Sequence, residues 1–339
     1  MNQAPLPFKF VPPRKPYTDI VGLELGAGLA EGVPAVRLRK REGETELLAA
    51  GFLKLPGTLP GTPEAVQSSG PLSWSLPHAF QAPYAALAVT SKSAFLRHSS
   101  GAGDEAPEKK QFTYRQVSRV IAPDQPPFVV GLPEFQAAWA ARLLPEGRRP
   151  TACSLQIATA AAISGFIASP SFVGKAASSA VTLFVFPDYT ALAAFQDARL
   201  VLYREHPVGY GHLRSAISSQ MRIDLALADA VLEDTLIDPT PIIEPVLRPL
   251  FRQVEISADY LLRRRNCPVQ NFFVCGLTAG SRFWSTVFSH MMNQPLTSPP
   301  PLEGIKVAAH AASLPKDLNA AAPLLMAAAG AARAVLEDV

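Results

Sequence analysis

The order of elements constrains this chain more than any single motif does. From Asp19 to Phe52, "DIVGLELGAGLAEGVPAVRLRKREGETELLAAGF" reads as an apolar strand, a glycine turn, a second strand, a charged turn and a third strand. After Ser178 the order returns: "SAVTLFVF" and "TALAAFQDARLVLYREHPVG" make another three-strand meander. Further strands and helices follow each meander. Element order, not residue identity, therefore points to an internal duplication. A chain of 339 residues is long enough to bury one large core or two ordinary ones.

The elements between are read from period and punctuation. "YAALAVTSKSAFLRHS" is two short strands about the turn Thr90-Ser91-Lys92, and "PFVVGL" is a strand. Pro133 to Gly147 is an amphipathic helix with proline at its first turn and glycine at its end. "RRPTACSLQIATAAAISGFI" is a strand running into an alanine-rich helix. His212 to about Asp234 reads as one helix. A longer one, "PIIEPVLRPLFRQVEISADYLLRRR", keeps helical spacing through Ile243, Val246, Leu247, Leu250, Phe251, Val254 and Ile256, with Pro245 and Pro249 in its first turns or kinking it. "QNFFVCGLTAG" is a strand entering a glycine turn, and "NAAAPLLMAAAGAARAVLEDV" is the last helix. Residues 1–16 are a proline-rich arm with apolar Phe8, Phe10 and Val11, and Ser99 to Gln111 is a polar loop.

Composition excludes several classes. The net charge is +3, and the basic runs near Arg37–Arg41, Arg148-Arg149 and Arg263–Arg265 are short, so no nucleic-acid partner is expected. Cys153, Cys267 and Cys275 have no metal spacing and no even pairing, which suits a reducing compartment. Cys153 reads as a structural thiol. The six histidines show no HxxxH pattern. Neither a GxSxG elbow nor a GxxxxGK[ST] loop occurs. The N-terminus lacks a signal-peptide core, and "LLMAAAGAARAVL" is shorter than the roughly 18–20 residues of a spanning helix. The expectation is a soluble cytoplasmic protein with no direct membrane insertion.

Four stretches resemble the type IV pilus assembly protein PilM family, actin-like relatives of the division protein FtsA. They are "VGLELGAGLAEGVPAVRLRKREGETELLAAGFLKLP", "LVLYREHPVGYGHLRSAISSQMRIDLALADAVLED", "IIEPVLRPLFRQVEISADYLLRRRNCPVQNFFVCGLTAG" and "PPPLEGIKVAAHAASLPKDLNAAAPLLMAAAGAARAVLED". The resemblance implies an α/β, actin-like (ribonuclease H-like) duplicated two-domain fold with a small subdomain inserted in the first half. The expected units are 17–175 with an insert at about 90–150, then 176–308, then 309–339 as a helix returning to the first domain.

The resemblance also implies a nucleotide site made of three turns. Its candidate residues here are Glu24, Gly26, Gly28, Gly209, Gly276 and Gly280. All three turns depart from the family pattern. Where the family has Asp, Gly and small hydroxyl residues, this chain has Glu24 and "AGLAEGVPA", which adds Glu31 near the phosphate position. Where the family has Asp-Ile-Gly, it has Phe184-Val185-Phe186; Asp188 is either a relocated acid or a turn residue. The adenosine turn carries Leu277 and Thr278, and Glu255 faces either a ribose or solvent. No cofactor is expected, and ATP with Mg²⁺ is the alternative.

The family's other activity is binding: it holds the cytoplasmic N-terminal tail of PilN, an inner-membrane protein. Phe112, Tyr114, Val117, Val120 and Ile121 either line such a groove or form ordinary core. The reading is a PilM-like cytoplasmic scaffold, peripheral at the inner membrane through its partner. It serves a type IV pilus or type II secretion-like machine without hydrolysing ATP, and self-association is left open. The alternative is an ATP-binding actin-like switch with slow hydrolysis.

Overall fold

The computed structural model describes residues 17–27, 29, 32–55, 59–60, 62, 74–98, 112–117, 128–144, 150–175, 179–233, 237–276 and 281–337. β1 (Asp19–Leu25), β2 (Val33–Arg41) and β3 (Glu44–Leu53) form the first meander. Ile20 to Leu25 are all buried, as befits a strand covered on both faces. β4 (Tyr84–Val89) then pairs parallel to β1. β5 (Phe95–His98), β6 (Phe112–Val117) and β7 (Phe128–Pro133) make a separate antiparallel sheet, ordered β5-β7-β6. Helix α1 (Glu134–Leu143) follows it and buries Trp139 and Leu143. The chain returns through β8 (Thr151–Ile157), parallel to β4, and enters α2 (Ala158–Ile167).

The second meander is β9 (Ala180–Val185), β10 (Thr190–Gln196) and β11 (Arg199–His206). Helices α3 (Tyr210–Met221), α4 (Leu225–Glu233) and α5 (Thr240–Arg265) lead to β12 (Asn271–Cys275), parallel to β9. α6 (Ser281–Met292), β13 (Leu296–Thr297), β14 (Lys306–Val307) and α7 (Met326–Leu336) complete the chain. The sheets are ordered β14-β3-β2-β1-β4-β8 and β11-β10-β9-β12-β13. Apart from β14, the two share one plan: third, second, first, fourth, fifth. In both, the meander is antiparallel and the last two strands join in parallel. The duplication suggested by element order is thus a duplication of topology.

Four local expectations are corrected. The helix expected from His212 to Asp234 is two helices, broken at Arg222, whose φ is +56°. Asp224 starts the second by accepting from the Leu227 N–H at 2.7 Å, an N-terminal cap. On α5 the buried stripe runs Ile243, Leu247, Leu250, Val254, Ser257 and Leu261, so Ile256 faces out at 41% exposure. Ser257 tolerates burial because its hydroxyl donates to the Gln253 carbonyl at 2.7 Å. α6, which buries Phe283, Trp284, Val287 and Phe288, was not anticipated. Finally, the helical run around α7 is 19 residues, Leu318–Leu336, because a helical turn and a 3-10 segment continue into it. It is long and apolar enough to cross a membrane by length and composition, but 56% of it is buried within the fold.

α7 sits against backbone. A Cβ at Gly22 of β1 would land on the Ala328 carbonyl oxygen, and one at Gly330 would land on that of Ala161. At Gly165 of α2 it would lie 2.9 Å from the Gly330 Cα. Three glycines from distant parts of the sequence therefore allow a strand and two helices to touch main chain to main chain. Arg333, 6% exposed, locks the seat by donating to the Glu337 carboxylate and to the carbonyls of Glu303 and Ala168. The halves are further joined by aromatic rings. Phe166 of α2 contacts Phe184 at 5.6 Å, Phe195 at 5.9 Å and Phe273 at 5.3 Å, all from the second sheet.

Gly330→Ala inserts a methyl where a carbonyl oxygen already lies. It is expected to lower stability by about 2 kcal/mol or more in equilibrium urea unfolding. An unchanged midpoint would mean that α7 is not seated this closely.

Candidate functional site

Three turns from the two sheets converge beside the N-terminal end of α7. The first leaves β1 at Gly26, whose φ of +83° is a left-handed conformation suited to glycine. A Cβ there would also strike the Leu59 side chain and the Thr90 carbonyl. The second joins β9 to β10 through Phe186-Pro187-Asp188-Tyr189. It is backed by Gly209, where any Cβ would overlap the carbonyls of Phe186 and Pro187. The third leaves β12 at Gly276, φ +93°. Gly28 and Gly280, with Glu31, Leu277 and Thr278, lie outside the described residues.

The chain itself fills the junction of these turns. The space there is about 30 Å³, lined by Glu24, Phe186, Gly276, Pro323, Leu324 and Met326 among others. That is room for a water molecule or two. Met326 places its methyl 3.0 Å from where a Gly276 Cβ would be, so a side chain occupies the close approach that the glycine permits. Phe184 is fully buried in the aromatic cluster with Phe166. Phe186 stacks on Tyr189, ring centroids 4.7 Å apart and 13° from parallel.

Glu24 is 6% exposed, and its carboxylate accepts a hydrogen bond from the Thr90 hydroxyl at 2.7 Å. Burial pushes its pKa up to about 7, against a smaller lowering by Thr90. A carboxylate that serves a metal is held ionised; this one sits in apolar surroundings that favour its protonated form. Among the described residues, no group of three His, Cys, Asp or Glu side chains is placed to hold a metal ion.

No protein-family profile and no curated protein sequence matches the chain. Solved structures do. PilM, in a PilM–PilN type IV pilus biogenesis complex, superposes with a TM-score of 0.62 at 15% identity, covering 94% of this chain and 98% of the other. The chain has the actin-like fold of PilM. A Bacteroides thetaiotaomicron protein of actin-like ATPase fold matches at TM-score 0.45 and 8% identity, covering 84% of this chain and 92% of that one. Spiroplasma citri MreB 5 bound to AMPPNP matches at 0.43 and 13%, with the same coverages.

The family resemblance implies a nucleotide where the three turns meet, and the space described there does not fit one. Ligand sites of that size need roughly 300 Å³ or more, and the space is about 30 Å³. Asp188 is no relocated acid at this junction: it lies 59% exposed, paired with Lys92 at 3.1 Å. Glu255 is exposed on α5. Of the partner-groove residues, Phe112, Tyr114 and Val117 lie on β6, and Val120 and Ile121 lie outside the described residues.

Sequence reading missed the larger space. A pocket of about 410 Å³ opens between the halves, lined by Lys92, Thr159, Tyr189, Glu205, His206 and His212 among others. Phe186 lines the small space and Tyr189 the large one, so their stacked rings form a partition. The only sequence signal was Glu205-His206, two polar residues ending an apolar strand.

A pKa raised in the folded state makes stability fall as pH rises from about 4.5, the ordinary value, to about 7, after which the effect is constant. For Glu24 the full effect is ~3 kcal/mol. Glu24→Gln keeps an acceptor for Thr90 and removes the charge. Thermal and urea unfolding at pH 5 and pH 8 are expected to show a variant without this decline, more stable than the parent at pH 8 by about 2–3 kcal/mol. An identical pH slope in both proteins would contradict the burial of Glu24.

Proposed function

We propose that this protein is a PilM-like cytoplasmic adaptor that docks the cytoplasmic N-terminal tail of a PilN-like inner-membrane protein. It works in a type IV pilus or type II secretion-like machine and stays at the inner face of the membrane through that partner. One observation carries the reading: the likeness to PilM extends over 94% of this chain and 98% of the other. The filled turn junction supports a role without ATP hydrolysis, since docking needs no phosphate chemistry. The working units are residues 17–175, with the insert at about 90–150, then 176–308, then 309–339 folded back onto the first unit, with the return already begun at β14 (Lys306–Val307), which joins the first sheet.

The docking face lies on the insert. β6 pairs only with β7 among the described strands and forms the outer edge of its three-stranded sheet. An extended peptide adds to such an edge through main-chain hydrogen bonds and is selected by pockets for alternate side chains. Phe112, Tyr114 and Val117 occupy alternate and end positions of this strand, and Val120 and Ile121 follow it in sequence.

The test pairs two titrations. A synthetic peptide of the PilN-like protein's N-terminal tail is expected to bind in calorimetry without nucleotide. Millimolar MgATP or MgADP is expected to leave the melting temperature unchanged. Binding at about 100 times Kd would add ~2.7 kcal/mol, a shift of several degrees. Such a shift would return the protein to the ATP-dependent switches. A tail peptide that fails to bind would overturn the adaptor role.

A further inference from the structure

The interdomain pocket on the far side of the Phe186–Tyr189 stack is a second site, independent of the docking role. Its walls come from the β4–β5 connection, the start of α2, the β9–β10 turn, the end of β11 and the first turn of α3. At about 410 Å³ it has the size of a small-molecule site. Polar groups from both halves line it or lie next to its lining. The hydroxyls of Thr159 and Tyr189 are 2.8 Å apart, and Tyr203 donates to the Glu205 carboxylate.

The charges narrow the ligand. Lys92 and Asp188 neutralise each other across the two halves. His212 has its Nδ1 occupied by the Gly209 N–H at 3.1 Å. Burial, and then Arg204, hold His206 below its ordinary value, which disfavours its charged form. Arg204 itself donates to Gln253 at 2.8 Å. Glu205, exposed at the end of β11, is left as an acid with no ion pair among the described residues. Partial burial raises its pKa, against a lowering by the Tyr203 hydroxyl, and it lines the pocket together with Tyr189. An anion finds little to hold it at α3. The first N–H groups of that helix are bonded to Phe186, Pro187 and Gly209 carbonyls, at 3.0, 2.8 and 3.0 Å. The opposite wall, Ser91 and the first turn of α2, offers donors.

We propose that this pocket binds a small molecule with a protonated amine at one end and a hydrogen-bond acceptor at the other. The ammonium sits on Glu205 against Tyr189, where carboxylate and aromatic ring both favour a cation. The acceptor end lies toward Ser91 and α2.

The probe is 5-aminopentanoate, and pentanoate is its match without the amine, both followed by ligand-observed NMR on the full chain. Saturable binding of 5-aminopentanoate, with none by pentanoate, is expected. Glu205→Gln should weaken it about tenfold or more, while Asp259→Asn, on the exposed face of α5, leaves it unchanged. Glu205→Lys, which supplies its own ammonium, should abolish binding while circular dichroism stays that of the parent. Equal binding of pentanoate would make this an anion pocket and overturn the proposal. So would no binding of either probe, or an unchanged affinity in Glu205→Gln.

Discussion

Everything described here depends on one close approach: α7 lying against β1 and α2 with no side chain between their backbones. Gly22, Gly165 and Gly330 permit it, and the Arg333 hydrogen bonds fix its register. Backbone contact at this distance leaves little freedom to slide, because any shift of α7 drives a carbonyl into a neighbouring chain. The residues just before α7 are thereby delivered to one place, the meeting point of the three turns. Pro323, Leu324 and Met326 line that place, where about 30 Å³ is left open.

Once the junction is filled, its other substitutions make physical sense together. Phe184 is a core residue, bound edge-on to Phe166 of the opposite half. Phe186 and Tyr189 partition the interdomain space. Glu24 is buried there, and burial pushes its pKa up to about 7. All of them serve packing between the two halves.

The two meanders were legible because apolar runs and the turns between them are local signals, and so were the glycine turns at Gly26 and Gly276. The break at Arg222–Asp224 was not, although its capping residue Asp224 stood in the sequence, because "DLALADAV" continues the apolar spacing across it. α6 was passed over because its start, Ser281, directly follows the stretch "GLTAG", which the sequence presents as a glycine turn. Phe184 and Phe186 could be recognised as misfits to a phosphate site. The reason for them could not, since Phe166 lies in the other half. The 410 Å³ pocket was invisible for the same cause: Lys92, Thr159, Asp188 and Glu205 meet only through the packing of the two sheets.

The fold thus separates two spaces, a narrow junction where the three turns meet and an open pocket beyond the Phe186–Tyr189 stack. The most direct measurement is a crystal structure grown with saturating MgAMPPNP. The expected result is Pro323, Leu324 and Met326 packed against Glu24 and Gly276, with no nucleotide at the junction. A nucleotide with its phosphates against Gly26 and Gly209, and the segment before α7 displaced, would contradict the central claim that this segment occupies the meeting point of the three turns.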